Sequence, residues 1–572
     1  LLWGAMLRDR EAGVAVAVCP IHNTCLRFLP PLTIARDEVD IIIATLRRAL
    51  ALGVDGILRD CAAHNRRRGN ERMAGYLAGL IKPHPKGNSM DDTTTGRAPA
   101  PIRLSTAGPS TAGHGAAERS GDLRVCIIGA GVGGLVTARA LKEKGIAFDC
   151  FDKRDRIGGI WAFDTTGEHT SVWYNMNMNT PRGLYQFTGF PMPASYPDFP
   201  SHQQVHAYLE SFVDYFGLRG GIHLNRAVER AERLPSGLWR VTLADGEVRL
   251  YDAVVVANGH HNTPNYPTYV GRDSFEGEAV HSKFYRYRHG YRDQRVMVVG
   301  VGNSGAQIAV DVSHDASMTY LSLRRGVYVL PHYLFGVRMD KVMWKLNSWW
   351  VKKMLPHPLF GLMFTGLYNL VIAKNRQMGM PKPDHLMMSS LPTLSENFAN
   401  RIGDGKLKIV PEVRRIDGKT VHLADGTSLE VDKIIYSTGY RTDFPFFDPG
   451  FLTVEDNRIP LYKRVFLPDV PNVAFVGVFQ AVTWGFLDMM EKQAVMVADY
   501  FSGAYRLPPP DEQRADIARE IKVIEREFLS TLRNNYEMHG PTYMHDLDVE
   551  RRQGARRARA AASCSAVPRP VW

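Results

Sequence analysis

The sequence is poor in cysteine, and its few thiols are scattered. Only six of its 572 residues are cysteine, and no two of them form a C-x-x-C pair. A redox-active disulfide of that kind is therefore excluded. The scarcity of cysteine also favours a reducing compartment, so we expect a cytoplasmic protein. No metal site is predicted.

The sequence also lacks an apolar run long enough to cross a membrane. The longest run covers fifteen residues, 359–373, whereas a spanning helix needs about twenty. Tryptophan and lysine side chains precede it, which leaves two interpretations of the apolar insert 335–380. We favour a buried helix or a wall of a substrate channel. The alternative is a helix in the membrane interface, with peripheral contact through residues 341–373.

Net charge is absent from the central part of the chain. Of the formal charge of +11, residues 1–121 contribute an excess of five basic side chains, and residues 551–572 contain six arginines and no acid. The region between them is neutral and has no basic stripe interleaved with aromatic residues. We therefore expect no nucleic-acid partner. The apolar content of 45% is typical of a globular enzyme.

Two glycine fingerprints of the form G-x-G-x-x-G are the most informative feature that is present. Each follows an apolar strand pattern and precedes a helical pattern. The first contains Gly129, Ala130, Gly131, Val132, Gly133 and Gly134, and the second contains Gly300, Gly302, Asn303, Ser304 and Gly305. Such glycines permit a tight turn, close approach to a pyrophosphate and close packing of the next helix, whose N-terminal end attracts phosphates. Two copies predict two bound dinucleotides.

The residues downstream of the fingerprints make the two predicted sites unequal. The strand after the first fingerprint ends at Asp152, whose carboxylate can bind ribose hydroxyls and would repel a 2′-phosphate. The strand after the second runs into Arg324 and Arg325, whose guanidinium groups suit a 2′-phosphate. We therefore predict FAD at the first site and NADPH at the second. The alternative is a pair of structural turns in an α/β protein.

The order of these patterns predicts an α/β fold with two Rossmann-like dinucleotide-binding domains, the NADP domain being inserted into the FAD domain. The predicted FAD domain comprises residues 122–285 and 427–505, and the NADP domain comprises residues 286–426. Residues 506–572 are predicted to form a charged helix and a basic tail that is disordered.

Residues 1–121 are predicted to be an extension outside this redox body. Within it, residues 14–52 resemble the C-terminal end of class III pyridoxal-phosphate aminotransferases. That stretch excludes the family's catalytic lysine, so the resemblance implies no transaminase activity. Residues 83–121 are rich in Pro, Gly, Ser, Thr and Ala, and they are predicted to be a disordered linker.

A third motif lies between the two fingerprints. It consists of Phe275, Gly277, His281 and Tyr285. It resembles the F-x-G-x-x-x-H-x-x-x-(Y/F) signature of flavin-containing monooxygenases. Baeyer–Villiger monooxygenases usually carry Trp at the last position. The likeness extends over residues 122–505 and includes the segments 157–161, 179–182, 300–305, 438–440 and 444–446.

The resemblance implies roles for individual residues. The residues assigned to FAD are Gly129, Ala130, Gly131, Val132, Gly133, Gly134, Asp152, Ile160, Trp161, Asn179 and Thr180. Asn179 also matches the family's active-site asparagine; taken alone, it could equally be a turn residue before Pro181. The family's NADP contacts match Ser304, Gly305, Ala306 and Gln307; the second fingerprint and the end of the strand after it add Gly300, Gly302, Asn303, Arg324 and Arg325 to the residues assigned to NADP. Gln307 stands where Asp is common, and His281 is expected to brace the domain junction.

The activity that the resemblance implies depends on NADPH and O2. A C4a-hydroperoxyflavin would oxygenate a soft nucleophilic nitrogen or sulfur centre of a small molecule. One alternative is Baeyer–Villiger oxygenation of ketones. Another is a flavoprotein that acts as an NADPH oxidase or redox partner without oxygenating a substrate. A pyridine-nucleotide–disulfide reductase is excluded because the chain has no C-x-x-C pair.

Overall fold

The computed structural model describes residues 16–18, 26–28, 123–343, 348–355, 357–371, 378–481, 486–532 and 534–564. The chain divides into two units, residues 1–115 and 116–572. In the first unit, strands β1 (Val16–Val18) and β2 (Leu26–Phe28) form an antiparallel pair. The rest of the predicted extension, including the aminotransferase-like helix and the linker, lies outside the described residues.

The second unit opens with a strand, a glycine turn and a helix. Its first elements are β3 (Arg124–Ile128), α1 (Val132–Glu143), β4 (Ala147–Phe151), α2 (His202–Tyr215), β5 (Ile222–His223), β6 (Val228–Arg233), β7 (Trp239–Leu243), β8 (Val248–Tyr251) and β9 (Ala253–Val256). Helix α2 starts at a capping box, in which Ser201 Oγ accepts from Gln204 N and Ser201 N donates to Gln204 Oε1. Strands β6, β7 and β8 form a separate antiparallel sheet.

The chain then builds a second strand–turn–helix unit and the apolar insert. These elements are β10 (Thr263–Pro264), β11 (Glu278–His281), β12 (Arg295–Val299), α3 (Asn303–Val312), β13 (Met318–Ser322), β14 (Val329–Leu330), β15 (Tyr333–Leu334), β16 (Val337–Arg338), α4 (Met339–Met343), α5 (Trp349–Met354), α6 (His357–Val371), β17 (Thr393–Leu394), α7 (Phe398–Gly403), β18 (Leu407–Val410), β19 (Val413–Asp417), β20 (Thr420–Leu423), β21 (Ser428–Glu430) and β22 (Lys433–Tyr436).

The last part of the chain adds one strand to the first sheet and three helices. Its elements are β23 (Tyr440–Arg441), β24 (Val473–Phe475), β25 (Gln480–Ala481), α8 (Phe486–Phe501), α9 (Pro510–Glu527), β26 (Glu537–Met538) and α10 (Gly540–Cys564).

Two five-stranded parallel sheets organise this unit. The first sheet has the strand order β24-β9-β3-β4-β5, and the second has the order β11-β22-β12-β13-β18. Strands buried on both faces must be apolar throughout, and every residue of β9 is fully buried. Because β24 returns to the first sheet after the whole second sheet has been built, the predicted insertion of one Rossmann-like domain into the other is confirmed. We call the bodies built on these sheets the first and second domains.

The predicted domain boundaries are wrong for two strands. The ranges 122–285 and 427–505 placed β11 and β22 in the first domain, whereas the two strands pair with each other, and β22 pairs with β12 of the second sheet. A short apolar strand carries no local mark of the sheet that it joins. Pairing partners more than 130 residues apart decide it, as the register Glu278↔Lys433 shows.

The prediction of a disordered basic tail is wrong for residues 551–564. They form the last part of α10, which packs against α8. Tyr505 donates to Glu550 Oε1 at 2.9 Å, and Arg551 pairs with Asp499 at 2.6 Å. A side chain at Gly554 would collide with the Tyr505 ring. These tertiary contacts hold a helix whose polar composition by itself favours disorder.

The apolar insert forms helix α6, which has two different faces. Phe360, Phe364 and Tyr368 lie in a buried cluster, whereas Leu362 and Leu370 are 57% and 84% exposed. The prediction of a buried helix is therefore correct for the face that carries Phe360, Phe364 and Tyr368, and the opposite face is exposed. Among the described residues, no helix combines the length and the apolar character required to cross a membrane.

Candidate functional site

The first glycine turn is shaped by contacts that only glycine permits. Gly129 has φ +106°, and a Cβ there would lie 2.6 Å from the carbonyl oxygen of Ala257. A Cβ on Gly134 would lie 1.9 Å from the carbonyl oxygen of Gly129. Both distances are shorter than any real carbon–oxygen contact, so the turn and the start of α1 require glycine.

The second glycine turn repeats this geometry. Gly300 has φ +98°, and a Cβ there would lie 2.6 Å from the carbonyl oxygen of Ser437. A Cβ on Gly305 would lie 2.0 Å from the carbonyl oxygen of Gly300. Each turn is also held by the neighbouring strand, because Gly129 N donates to Phe151 O at 2.8 Å and Gly300 N to Ser322 O at 3.1 Å.

Both helices that follow these turns present main-chain N–H groups. Helix α1 begins after Gly131 and α3 begins after Gly302. Because glycine has no side chain, neither residue can cap the first N–H groups of its helix. Those N–H groups and the helix dipole suit a pyrophosphate, so both turns fit a dinucleotide.

A cleft of 450 Å³ opens at the first glycine turn. The predicted FAD residues that line it are Gly129, Gly131, Val132, Gly133, Asp152, Ile160 and Trp161. Trp161 is buried and donates from Nε1 to Tyr185 Oη at 2.8 Å, with the two rings edge to face. This pair forms an apolar wall of the cleft that suits an aromatic ring system.

Asp152 is held rigidly beside the first turn. Its Oδ2 accepts from Ala130 N at 2.8 Å, and its Oδ1 accepts from Arg154 N at 3.0 Å. The carboxylate is 9% exposed and lines the cleft. The glycine cradle and this fixed carboxylate together fit the pyrophosphate and ribose of FAD.

The polar side chains assigned to NADP are less buried than Asp152, and not all of them are free to contact a nucleotide. Ser304 and Arg324 are exposed, and Arg325 lies 3.8 Å from Asp384. Asn303 Oδ1 accepts from Leu394 N at 2.8 Å, so this oxygen holds strand β17 in place. Arg324 follows β13 closely, at the carboxyl end of the second sheet, where nucleotides bind in such folds.

Asn179 is in contact with the second domain. Its Oδ1 accepts a hydrogen bond from Gln307 Nε2 in the second turn of α3. Asn179 and Thr180 are half-buried, and neither belongs to the lining of the 450 Å³ cleft. The structure therefore brings a predicted FAD-side residue together with a predicted NADP-side residue, although 128 positions separate them in sequence.

The signature residues lie where the two domains meet. His281 is fully buried, its Nδ1 accepts from Lys283 N at 3.1 Å, and its Nε2 lies 3.0 Å from Gly439 O. Burial lowers the pKa of His281 to about 4, so the ring is neutral and Nε2–H donates to the carbonyl. Both ring nitrogens are engaged, which supports bracing rather than proton transfer. At Gly277, a Cβ would lie 2.3 Å from Asp432 O, close to the ring of Phe275.

Sequence reasoning missed several residues of the cleft. Lys283, His260 and His261 line it, and His260 Nδ1 lies 3.1 Å from Gly477 O. Burial lowers the pKa of His260 to about 4. The available signal was position: the two histidines follow β9, and the carboxyl ends of parallel strands face the ligand in such sheets.

The similarity to known proteins covers both domains. A family model described as "FMO-like: Flavin-binding monooxygenase-like" matches residues 122–552. "Flavin-containing monooxygenase 5" of Homo sapiens is 30% identical over an alignment of 446 residues that covers 72% of this chain and 80% of that protein. "Dimethylaniline monooxygenase (N-oxide-forming) 2" of Rattus norvegicus is 31% identical over 432 residues, with the same coverage of 72% and 80%.

A solved structure is similar to this chain over a comparable length. "S-allyl-L-cysteine S-oxygenase from Allium sativum" superposes with a TM-score of 0.56 and 25% identity, covering 77% of this chain and 93% of that one. The glycine cradles, the fixed carboxylate and the family match agree with each other. The chain belongs to the flavin-binding monooxygenase-like family and is an NADPH-dependent flavin monooxygenase with FAD as its cofactor.

Proposed function

We propose that this monooxygenase oxygenates a soft nitrogen or sulfur centre of a small molecule, and that its active site lies around Asn179. The observation that carries the placement is the Gln307–Asn179 hydrogen bond, which joins the helix of the NADPH turn to the first domain. The substrate class is supported by the signature that ends in Tyr285, since Baeyer–Villiger enzymes usually have Trp there. It is also supported by the names of two similar proteins, an N-oxide-forming enzyme and an S-oxygenase.

Asn179 is proposed to hold the oxygen that is transferred. When bound, FAD would supply the redox chemistry that links NADPH to O2. Gln307 donates to Asn179 Oδ1 and so fixes the amide plane, which leaves Asn179 Nδ2 to donate toward the reacting oxygen. A donor fixed in this way stabilises developing charge without reorganisation. A nitrogen or sulfur lone pair needs no deprotonation, so the protein needs no general base for the substrate.

The cofactor contacts are proposed to follow the two turns. For FAD they are Gly129, Ala130, Gly131, Val132, Gly133, Gly134, Asp152, Ile160, Trp161 and Thr180. For NADPH they are Gly300, Gly302, Asn303, Ser304, Gly305, Ala306, Gln307, Arg324 and Arg325. The Trp161–Tyr185 pair would exclude water from that side of the flavin site.

The test measures where the oxygen goes. The FAD-loaded chain is supplied with NADPH, ¹⁸O2 and, in turn, N,N-dimethylaniline, S-allyl-L-cysteine and cyclohexanone. We expect ¹⁸O in an N-oxide or a sulfoxide, detected by mass spectrometry. Asn179→Ala should still oxidise NADPH but release H2O2 in place of product. Asn369→Ala, an exposed asparagine on α6, is the control and should resemble the wild type.

Two outcomes would contradict the proposal. Labelled lactone from cyclohexanone, without amine or sulfide oxidation, would assign Baeyer–Villiger chemistry. Stoichiometric H2O2 with every substrate would make the chain an NADPH oxidase.

We also propose peripheral membrane contact through residues 341–373. Leu359, Leu362 and Leu370 lie on one exposed face of α6, and Trp350 and Met354 are exposed on α5. An apolar helix face beside tryptophan suits the interface between lipid headgroups and tails. In flotation with phosphatidylcholine–phosphatidylserine vesicles, Leu362→Ser should lower binding about tenfold. Val270→Ser, an exposed apolar residue elsewhere, should leave binding unchanged, and equal losses would contradict the proposal.

A further inference from the structure

We propose that Tyr285 and Arg286 are positioning residues: together they fasten the segment 170–179 to helix α3 and thereby set the NADP⁺ site relative to the flavin. The inference rests on the proposed function only for the role of Asn179. The two residues are adjacent in sequence, at the end of the family signature. Their side chains make contacts with different domains, which makes this dipeptide a two-sided clasp.

Arg286 ties the clasp to the first domain. Its guanidinium is buried and donates from Nη1 to Val172 O at 2.8 Å and from Nη2 to Thr170 O at 2.7 Å. It also donates to the carbonyls of Tyr285 and Lys283, so all four acceptors are main-chain oxygens. In return, Tyr174 N donates to Arg286 O at 3.0 Å. The main chain of the segment is therefore pinned at three points to one residue.

The turn before this segment is shaped around the same guanidinium. Gly167 has φ +79°, and a Cβ there would lie 2.2 Å from Arg286 Nη2. The turn is closed by Asp164 Oδ1, which accepts from Gly167 N and from Thr166 Oγ1. A buried guanidinium whose two terminal nitrogens donate to four main-chain carbonyls defines one position for the loop, because its donors form a rigid fork.

Tyr285 ties the clasp to the second domain. Its side chain is fully buried, and its hydroxyl donates to Asp311 Oδ2 at 2.7 Å. The ring packs edge to face on Trp173, which belongs to the segment pinned by Arg286. Asp311 lies on α3, and Asn175 Nδ2 donates to its second oxygen at 3.3 Å. Burial raises the pKa of Asp311, and the hydrogen bonds from Tyr285 and Asn175 and the charge of Arg288 offset part of that rise.

The Tyr285–Asp311 contact is connected to Asn179 because Gln307 and Asp311 lie on the same helix, α3. Gln307 and Asp311 are four residues apart, on one face of α3. Their partners, Asn179 and Asn175, are also four residues apart in the segment. The two hydrogen bonds therefore form a short ladder between the segment and α3. Loss of the Tyr285–Asp311 bond should let α3, and the glycine turn at its start, move relative to the flavin cleft.

The test compares two buried tyrosine–carboxylate pairs in the FAD-loaded full chain. Tyr505 is also buried and donates to Glu550 Oε1 at 2.9 Å, far from the glycine turns in sequence. NADP⁺ is titrated into the oxidised enzyme, with the visible absorbance and circular dichroism of the flavin as readouts. Tyr285→Phe should raise the Kd for NADP⁺ about tenfold and diminish the flavin perturbation. Tyr505→Phe should lower the melting temperature by a similar amount and leave the Kd unchanged.

A second variant avoids the risk of misfolding. Asn175 is exposed, so Asn175→Ala should fold normally and raise the NADP⁺ Kd about twofold to threefold. Equal melting losses in both tyrosine variants, with wild-type NADP⁺ affinity in Tyr285→Phe and Asn175→Ala, would overturn the proposal. None of these measurements uses an oxygenation substrate. Failure of the nitrogen or sulfur assignment would therefore leave their outcome unaffected.

Discussion

The two glycine turns have nearly the same main-chain geometry but different surroundings. In both, a Cβ on the first glycine would lie 2.6 Å from a carbonyl oxygen of the neighbouring strand end. The last glycines differ by only 0.1 Å in the same measure, 1.9 Å for Gly134 and 2.0 Å for Gly305. The turn therefore recognises what all dinucleotides share, and the side chains around it must distinguish one nucleotide from the other.

Those side chains differ in charge and in exposure. Asp152 is buried, and main-chain N–H groups hold its carboxylate at the first turn. Arg324 is exposed after the strand that follows the second turn. A buried, preorganised acceptor suits a cofactor that stays bound, whereas an exposed guanidinium suits a nucleotide that enters from solvent. The difference between the two turns therefore agrees with the proposed assignment of FAD to the first turn and NADPH to the second.

The largest effect is expected from filling the turns. Gly134→Ala should abolish FAD binding and destabilise the fold by more than about 3 kcal/mol, because the new Cβ would overlap Gly129 O. Gly305→Ala should retain FAD but lose NADPH. Flavin absorbance and melting temperature report both. Gly403→Ala, at the end of α7 with open space around it, is the control and should be tolerated. If Gly134→Ala binds FAD fully and is as stable as the wild type, the first turn does not require glycine at this position.

Removing the charge at the second site should change nucleotide selectivity. Arg324→Ala should lower the preference for NADPH over NADH about tenfold to a hundredfold, since a charge-assisted pair with a 2′-phosphate contributes about 1.5–3 kcal/mol. Steady-state kcat/KM for the two nucleotides measures this. Arg325→Ala should have a smaller effect because Arg325 lies beside Asp384. If Arg324→Ala affects NADPH and NADH equally, the 2′-phosphate assignment is wrong.

Removing the carboxylate at the first site should weaken FAD. Asp152→Ala deletes the acceptor for Ala130 N–H and for ribose hydroxyls, so the Kd for FAD should rise about tenfold. Reconstitution of the apoprotein, followed by flavin fluorescence, measures this change. Asp155→Ala is a matched control, because Asp155 is exposed and pairs with its neighbour Arg156. Equal affinities in the two variants would remove Asp152 from the FAD site.

The most gradual effect, spread over several pH units, concerns the junction that joins the two sites. The pKa of His281 is lowered to about 4 in the fold, whereas an unfolded histidine titrates near 6.5. Between these values the unfolded chain binds the extra proton, so stability falls as pH falls from about 6.5 toward 4, by at most about 1.4 kcal/mol per pH unit. His281→Gln should flatten this part of the pH–melting curve, and His289→Gln, an exposed control, should not. An unchanged slope in His281→Gln would contradict the assignment of a neutral, buried ring.

Sequence reasoning was most successful where the determinants are local. The fold class and the two cofactors could be predicted because each turn, its strand and its helix lie within about thirty residues. The predictions that the basic tail is disordered and that the segments of β11 and β22 belong to the first domain were wrong. In those cases packing against distant elements, such as Tyr505 against Gly554, decides the outcome.

The sequence by itself determined that this chain binds two unlike dinucleotides. Glycine is needed wherever a Cβ would overlap a carbonyl oxygen. The opposite charges of Asp152 and Arg324 each come from one residue, so both can be read directly from the sequence. Only the tertiary structure decided what joins the two sites. The contacts Asn179–Gln307, Asn175–Asp311 and Tyr285–Asp311 link residues 128, 136 and 26 positions apart. These pairs share no common period or spacing in the sequence, so their contact depends on how the two sheets and α3 are folded together.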